Sequence, residues 1–227
     1  MLATGIVGAV EDPWIRWSWI SGHADVITAA LLQHIQLTLI AVVVGLLIAV
    51  PLGLLAWRSR VFRGPIFSVT GILYTIPSLA LFSLLLPFTG LTLWTAEIGL
   101  VGYTLLILIR NIVVGLNAVP DEVREAARGM GFRPLAELAR VDLPLAFPGI
   151  LAGVRIATVT TIGLVTVTAL IGEGGLGSLI YDGLLRDFKT PLVVGTVLCV
   201  ALAVLSDLGL AGLQRVVTPW ARSRAVR

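Results

Sequence analysis

Side chains that could carry out catalysis or bind a metal are few in this sequence. His23 and His34 have no metal-ligating neighbour at a useful spacing, and Cys199 lies in an apolar run with no cation beside it. We therefore expect no metal site, and we expect Cys199 to be a core residue rather than a reactive thiol. The phosphate-binding pattern GxxxxGKS/T and a Ser/His/Asp arrangement are both absent. The sequence thus predicts no catalytic residue, no bound cofactor and no ATP hydrolysis by this chain.

Polar side chains are concentrated instead in one central segment, residues 121–144, which reads DEVREAARGMGFRPLAELARVDLP. Asp121 is a favourable N-cap for a helix, and Glu125 lies in the first turns, where the helix dipole favours anions. Gly131 suits the position just after a helix end, and Pro134 suits the first turn of the next helix. The segment is therefore predicted to form a helix, a glycine elbow and a second short helix.

The second short helix is amphipathic. Leu135, Leu138 and Val141 recur at helical spacing and form an apolar stripe, with Glu137 and Arg140 on the other side. A stripe this small cannot form a core by itself. It must lie on a membrane surface, pack on its own chain or fill a groove on a partner protein, and helix-in-groove docking is a common mode of recognition.

The composition predicts an integral membrane protein. Charged residues make up 13% of the chain and hydrophobic residues 57%, with a mean hydropathy of +1.00, whereas a soluble domain has about 25% charged residues. The net charge is +3, but we find no interleaving of aromatic and basic residues of an RNA-binding kind, so we expect no nucleic-acid partner. The excess of arginine fits cytoplasmic loops instead.

Five stretches are apolar and long enough to span a bilayer, which requires about 20 residues. Leu143–Pro144 is expected to end the short helix, and Pro148 to begin the fourth span. The spans are predicted at about 35–57, 65–88, 97–118, 148–171 and 191–213, within a transmembrane domain of residues 31–215. No cleavable signal peptide is evident. Residues 1–30, which carry Trp14, Trp17 and Trp19, are expected to be an interfacial segment, because indole rings prefer the headgroup region.

The basic residues predict the orientation of the spans. Arginines are grouped in the first loop, in residues 121–144 and in the tail, residues 216–227, whereas the loop between the second and third spans has none. The positive-inside rule therefore predicts an external N-terminus, and a cytoplasmic C-terminus and 121–144 segment. Arg110 and Arg155 fall inside spans; they either reach the headgroups or pair with a carboxylate of the cytoplasmic loop.

The central segment also carries a family signature. It resembles the EAA motif of permease subunits of bacterial ABC importers, with the usual isoleucine replaced by Val141. By this resemblance the segment is the coupling helix that docks into a cytoplasmic ATPase, and the fold is an all-α integral membrane protein with about five transmembrane helices and a cytoplasmic coupling-helix segment, as in methionine-type permeases. The residues implied in coupling are Glu125, Ala126, Ala127, Gly131, Phe132, Pro134, Leu135, Leu138, Val141, Leu143 and Pro144.

Two further stretches, YTIPSLALFSLLLP and ALIGEGGLGSLIYDGL, resemble the glycine betaine/carnitine/choline branch of this family. Methionine-type permeases share the EAA segment and the five-span plan, so an importer of methionine or another small solute is the alternative. A self-contained channel is a third, more distant hypothesis. The resemblance implies a bacterial inner-membrane subunit with two ATPase copies that bind ATP and Mg²⁺, a second permease subunit and an extracytoplasmic binding protein.

A translocation path and gate are expected at two places. Pro77 lies inside the second span and is expected to kink it, with Ser78 supplying a compensating hydrogen bond. A glycine-rich loop follows the fourth span, where Glu173, Gly174 and Gly175 form either an ordinary turn or a gate. Neither the kink nor the loop is assigned to transport by physical reasoning alone, since packing explains each of them as well.

Overall fold

The computed structural model describes residues 13–220, and every regular element in that range is helical. Most of the predicted tail, and residues 1–12 of the predicted interfacial segment, lie outside this range. The helices are α1 (Trp17–Gly22), α2 (Ala24–Arg58), α3 (Arg60–Thr75), α4 (Ser78–Thr89), α5 (Leu93–Asn117), α6 (Asp121–Gly129), α7 (Pro134–Glu137), α8 (Leu143–Val165), α9 (Leu176–Leu185) and α10 (Lys189–Val217). A π turn (Leu138–Asp142) joins α7 to α8, and a 3₁₀ turn (Val167–Ile171) follows α8.

The predicted membrane architecture is confirmed. Among the described residues, α2, α5, α10 and the continuous helix Pro134–Val165 are each long and apolar enough to cross a membrane. The pair α3 and α4 supplies a fifth crossing if it is counted as one broken span, although the two helices meet at 98°. The fold is therefore all-α with four unbroken spans and a fifth that is bent.

The first span begins earlier than predicted, at Ala24 rather than near residue 35. Its helix therefore crosses the boundary that the sequence placed at residue 30. Gln33 and His34 are polar, but both are hydrogen-bonded to residues that follow α8, in the loop and at the start of α9. Because these polar groups are satisfied within the protein, they do not end the helix.

The second span is broken rather than kinked. Backbone at Ile76 and Pro77 is extended, and α4 begins directly afterwards at Ser78. The break leaves the carbonyl of Ile76 outside the regular helix, and the hydroxyl of Tyr103 on α5 donates a hydrogen bond to it. The compensating bond thus comes from Tyr103, not from Ser78 as predicted, because the neighbouring helix presents a donor at this depth.

The short amphipathic helix does not end at Leu143–Pro144, and the fourth span does not begin at Pro148. Instead α7, the π turn and α8 form one continuous helix, with Pro148 in its interior. Pro144 lacks a backbone N–H, and the wider hydrogen-bond spacing of the π turn just before it accommodates that loss. Residues 121–144, called the elbow segment below, are therefore rigidly joined to a membrane span.

The core lies around α5, which packs between α2 and α8. Two clusters of buried apolar residues follow its length, one built on Leu108, Ile109 and Ile112 and the other on Leu100 with Leu37 and Phe82. By contrast, only Thr190, Pro191 and Gly195 are buried in α10. The other residues of α10 are half-buried or exposed. Cys199 is half-buried against a smaller cluster of Ala30, Leu176 and Leu179, as expected for a core residue.

Replacing Tyr103 with phenylalanine removes the donor to Ile76 and leaves its carbonyl unpaired. We expect the free energy of unfolding to fall by about 1–3 kcal/mol. Tyr74→Phe is the matched control, since the Tyr74 ring packs edge-on against Tyr103 but no hydrogen bond of its hydroxyl is seen within residues 13–220. Thermal unfolding in detergent measures both variants, and equal losses would show that the Tyr103 hydrogen bond does not stabilise the break.

Candidate functional site

The glycine elbow has the geometry that the sequence predicted. Gly131 has φ +83°, a conformation that a side chain disfavours. The N–H of Phe132 donates to the carbonyl of Ala127 at 3.1 Å, and the N–H of Gly131 donates to that of Arg128 at 2.9 Å. This pair of bonds is the Schellman arrangement that closes a helix end. The N-cap of α6 is Pro120 rather than the predicted Asp121, which lies in the first turn.

The short helix is oriented differently from the prediction, because a salt bridge across the elbow holds its polar side inward. Glu137, expected on the polar side, is buried at 6% exposure, whereas Leu135 of the apolar stripe is 81% exposed. The carboxylate of Glu137 accepts hydrogen bonds from Nε and Nη2 of Arg128 at 3.0–3.2 Å. This bonding and the attraction of Glu137 raise the pKa of Arg128. The ion pair orients α7 so that its carboxylate packs inward and Leu135 projects outward.

Arg124 fastens the elbow to the membrane helices. Its Nε donates to the buried carboxylate of Asp142 at 2.8 Å, and its Nη2 donates to the carbonyl of Leu116 at 2.6 Å. Nη1 reaches Asp121 at 3.0 Å, and the guanidinium lies 5.4 Å from the ring of Trp57. One arginine therefore links α6, the π turn, the end of α5 and the end of α2. Neither Arg124 nor Asp142 was singled out from the sequence.

The elbow segment encloses a cleft of about 620 Å³ whose lining includes Arg128, Leu135 and Glu137. Of the predicted coupling residues, Pro134, Leu135 and Leu138 line this cleft, and the whole set differs in exposure. Glu125, Ala126, Gly131, Pro134, Leu135 and Pro144 are exposed, Phe132, Leu138, Val141 and Leu143 are half-buried, and Ala127 is buried. An ordered, partly apolar surface is thus presented at this end of the molecule.

At the opposite end of α8, the glycine-rich loop of residues 172–175 is bonded to α2 through Gln33. The Gln33 amide donates from Nε2 to the carboxylate of Glu173 at 2.9 Å, and its Oε1 accepts from the N–H of Gly175 at 3.1 Å. Both halves of one side chain are therefore used to hold the loop. No local pattern predicts this pairing, because Gln33 and Glu173 are far apart along the chain.

His34 is the second contact between α2 and this loop. Its side chain is fully buried. Its Nδ1 accepts from the N–H of Leu176 at 3.3 Å, so Nε2 carries the proton and donates to the carbonyl of Ile162 at 3.0 Å. Gly175 lies so close that a Cβ there would be 2.8 Å from the Cα of His34. Glycine is therefore required for the loop to approach α2.

The two predicted gate elements are not brought together. Pro77 and Ser78 line a cleft of about 290 Å³ with Tyr103 and Leu164, and Glu173 does not border it. The glycine loop and the broken span are thus separate features.

Within residues 13–220, no three His, Cys, Asp or Glu side chains are grouped so as to hold a metal ion.

Arg155 pairs with Asp207, a residue that the sequence reasoning missed. Its Nε and Nη2 each donate to the Asp207 carboxylate at 2.9 Å. The carboxylate therefore lies in the α10 span and not in the loop of residues 121–144, and Arg155 is held by it rather than reaching for the headgroups. The sequence does contain a signal for this pair, because it places one Arg and one Asp at similar depth in two successive spans.

Comparison with known proteins decides the family. The model of the family described as "Binding-protein-dependent transport system inner membrane component" matches residues 27–223. The chain belongs to this family. It is thus a multi-pass membrane permease, as the EAA resemblance implied.

Several relatives resemble the permease over most of its length. It is 37% identical over 187 residues to the choline transport system permease protein OpuBB of Bacillus subtilis, covering 82% of this chain and 86% of the relative. It is 35% identical over 202 residues to the osmoprotectant import permease protein OsmW of Salmonella typhimurium, covering 87% and 94%. A solved structure of the MetNI methionine ABC transporter matches with a TM-score of 0.75 at 23% identity, covering 85% of this chain and 96% of that one. This structural likeness shows the fold.

Replacing Asp142 with asparagine removes the buried carboxylate that Arg124 binds. We expect the permease to lose about 1.5–3 kcal/mol of unfolding free energy, because hydrogen bonds to charged groups are the stronger class. Asp121→Asn is the control, since Asp121 contacts the same guanidinium but has an 87% exposed side chain and an exposed pair contributes little. Chemical denaturation in detergent compares them; a larger loss for Asp121→Asn would contradict the role given to Asp142.

Exchanging Gln33 and Glu173 tests the bond that holds the glycine loop. Gln33→Glu faces two carboxylates against each other, whereas Gln33→Glu with Glu173→Gln restores one donor and one acceptor between the same positions. We expect the single variant to lower the melting temperature of the permease and the double variant to regain most of it, with a coupling energy of about 0.5–3 kcal/mol. Additive effects of Gln33→Glu and Glu173→Gln would show that the two side chains do not interact.

Proposed function

We propose that this permease is the membrane subunit of an ATP-driven importer for quaternary-amine osmoprotectants such as glycine betaine, choline or carnitine. The main support for this proposal is the similarity, over more than four fifths of the chain, to the Bacillus subtilis choline permease. A second Bacillus subtilis relative, named for glycine betaine, carnitine and choline, is 35% identical over 82% of the chain. Similarity of this extent includes the spans and the loops, and not the elbow segment alone.

Energy for import comes from partner ATPases that bind ATP and Mg²⁺ and dock, in two copies, on the elbow segment. Leu135 and Met130 support this, since they are 81% and 71% exposed on a segment that is held by ion pairs of the buried carboxylates Glu137 and Asp142. Large exposed apolar side chains on an ordered polar surface are typical of a docking site. Because α7 continues into α8, a displacement of the elbow moves a membrane span with it.

The elbow end faces the cytoplasm, as the arginine distribution predicts, with the N-terminus outside and the C-terminus inside. The glycine loop, at the other end of α8, then faces the extracytoplasmic binding protein that delivers the solute. Five crossings are too few to enclose a path, so a second permease subunit completes it. Glu173, Gly174 and Gly175 are the proposed gate residues, and Pro77 and Ser78 border the path where the second span is broken.

A second solute is favoured by one relative. The ergothioneine transport permease/binding protein EgtU of Helicobacter pylori is 41% identical over 162 residues, covering 71% of this chain but 29% of that longer protein. Methionine is the alternative suggested by the fold of the MetNI transporter, whose identity of 23% shows the fold alone. Ergothioneine and methionine are therefore the competing solutes to test.

The deciding experiment is uptake of labelled choline, glycine betaine and carnitine at high osmolarity, in cells with and without this permease. We expect uptake of at least one quaternary amine to depend on the permease, to require ATP and to be undiminished by excess methionine. Competition by unlabelled ergothioneine separates the remaining solute. Uptake of methionine alone, or uptake that persists without any co-purifying ATPase, would overturn the proposal.

The same assay tests coupling through the elbow by means of two valine variants. Gly131→Val forces a β-branched residue into φ +83°, whereas Gly129→Val, two residues away on α6, meets no such conformation and has open space around it. We expect the Gly131 variant to insert in the membrane but to lose transport, and the Gly129 variant to retain it. Normal uptake by Gly131→Val would exclude the elbow as the coupling element.

A further inference from the structure

One carboxyl group inside a membrane span is used by none of the sites above. Glu97 lies four residues beyond the start of α5 at Leu93, which places it about 6 Å along the axis from that helix end. The residue is 6% exposed, and among the described residues neither of its carboxylate oxygens has a hydrogen-bond partner. Buried polar groups are nearly always bonded, and an ionisable group within a span is costly, so Glu97 needs a specific explanation.

No ionisable group of the neighbouring elements compensates Glu97. Its helix packs against α2, α3, α4, α8 and the 3₁₀ turn, and neither α4 nor the 3₁₀ turn carries an ionisable side chain. In the part of the chain that the structure describes, no ionisable side chain of the other helices forms a hydrogen bond with Glu97. Those side chains are Asp25, His34 and Arg58 of α2, Arg60, Arg63 and Tyr74 of α3, Tyr103 and Arg110 of α5, and Arg155 of α8.

A second oxygen without a partner lies at the same level of the fold. Thr38 on α2 is 6% exposed, and within residues 13–220 its hydroxyl is the one other buried side-chain oxygen that lacks a hydrogen bond. The helices α2 and α5 run in the same direction, and Gly45 of α2 lies directly against Thr104 of α5. Thr38 and Glu97 each precede that contact by seven residues. Seven residues are about two helical turns, so both lie on the facing sides of the two helices.

An ionised Glu97 does not suit this place. The adjoining residues form an apolar cluster, with Leu37 and Ala41 on α2 and Ala96 and Leu100 on α5. A carboxylate with no donor or cation is costly in such surroundings, and the dipole of α5 favours an anion only within its first turn. The neutral carboxylic acid avoids this cost. It is therefore the form of Glu97 that the packing of α2 on α5 favours.

The helix that covers Glu97 is also the helix that holds the glycine loop. His34 lies one turn before Thr38 on α2 and accepts a hydrogen bond from the N–H of Leu176, and the neighbouring Gln33 is bonded to the loop itself. A displacement of the loop during solute entry therefore pulls on the part of α2 that lies over Glu97. Where α2 separates from α5, water reaches the carboxyl, and a carboxyl in water is ionised at neutral pH.

We propose that Glu97 is an intramembrane proton-binding site that exchanges its proton when the permease opens to the outside. While α2 is packed on α5, the carboxyl is neutral. When the two helices separate, its O–H proton passes to a water molecule and a carboxylate remains. Closure reverses this step, because the carboxylate must take a proton from water before α2 can pack on it again. The inference rests on the proposed import function and on the outward-facing glycine loop.

Infrared difference spectroscopy detects the bound proton directly. The permease, in complex with its partner ATPase in lipid vesicles, is compared with the variant Glu97→Gln at neutral pH. We expect the difference spectrum to contain the C=O stretching band of a carboxylic acid. Asp182→Asn is the control, because Asp182 is an exposed carboxyl on α9 and its difference spectrum is expected to show carboxylate bands. Carboxylate bands alone for Glu97 would rule out the bound proton.

The pH dependence of import tests the exchange. We expect uptake of a labelled quaternary amine by the unchanged permease to fall several-fold as the external pH is raised from acidic to alkaline, since closure needs a proton. The Glu97→Gln variant is neutral at every pH and is expected to import at a nearly constant rate, whereas Asp182→Asn follows the unchanged permease. Glu97→Met, uncharged and of similar length, is a second variant for both measurements, and thermal unfolding checks that each variant is folded.

The two measurements separate the possible failures. Equal pH profiles for the unchanged permease and the Glu97 variants would show that Glu97 does not exchange a proton during import. Folded Glu97 variants that import at no pH would contradict the inference too, because a neutral side chain would then not be sufficient. Failure of the solute proposal is seen independently, since it abolishes quaternary-amine uptake by the unchanged permease but leaves the infrared band in place.

Discussion

A polar group inside a bilayer must be satisfied within the protein, and most features of this permease follow from that constraint. The broken span is tolerated because the Tyr103 hydroxyl bonds the freed carbonyl of Ile76. The polar start of α2 is tolerated because Gln33 and His34 are bonded to the loop beyond α8. Within residues 13–220, the buried oxygens of Glu97 and of Thr38 are exceptions, since they have no hydrogen-bond partner.

The same requirement separates the rigid parts of the permease from those open to partners. Buried carboxylates at Glu137 and Asp142 are neutralised by arginines of α6, so the elbow is ordered although it is polar. Two of its large apolar side chains, Met130 and Leu135, are left exposed. An ordered support with an exposed apolar surface can transmit force, because a displaced partner moves the attached helix instead of bending a loop.

Several elements follow from local rules and were predicted correctly. The number and approximate place of the crossings depend on apolar length, and the elbow depends on the backbone preferences of Gly131 and Pro134. The errors arose where a tertiary contact changed a local preference. Pro144 did not end its helix because a π turn accommodated it, and Glu137 packed inward because Arg128 was placed to pair with it.

By itself, the sequence determined that the chain crosses the membrane about five times, that a glycine elbow interrupts the polar segment, and that this segment carries the EAA pattern. These properties depend on composition and on contacts within a few residues. Only the tertiary structure decided which distant polar groups meet: Gln33 with Glu173, Arg124 with Asp142, and Arg155 with Asp207. Such a pair forms only when the packing of the helices brings both residues together, and helix packing, not sequence spacing, decides this.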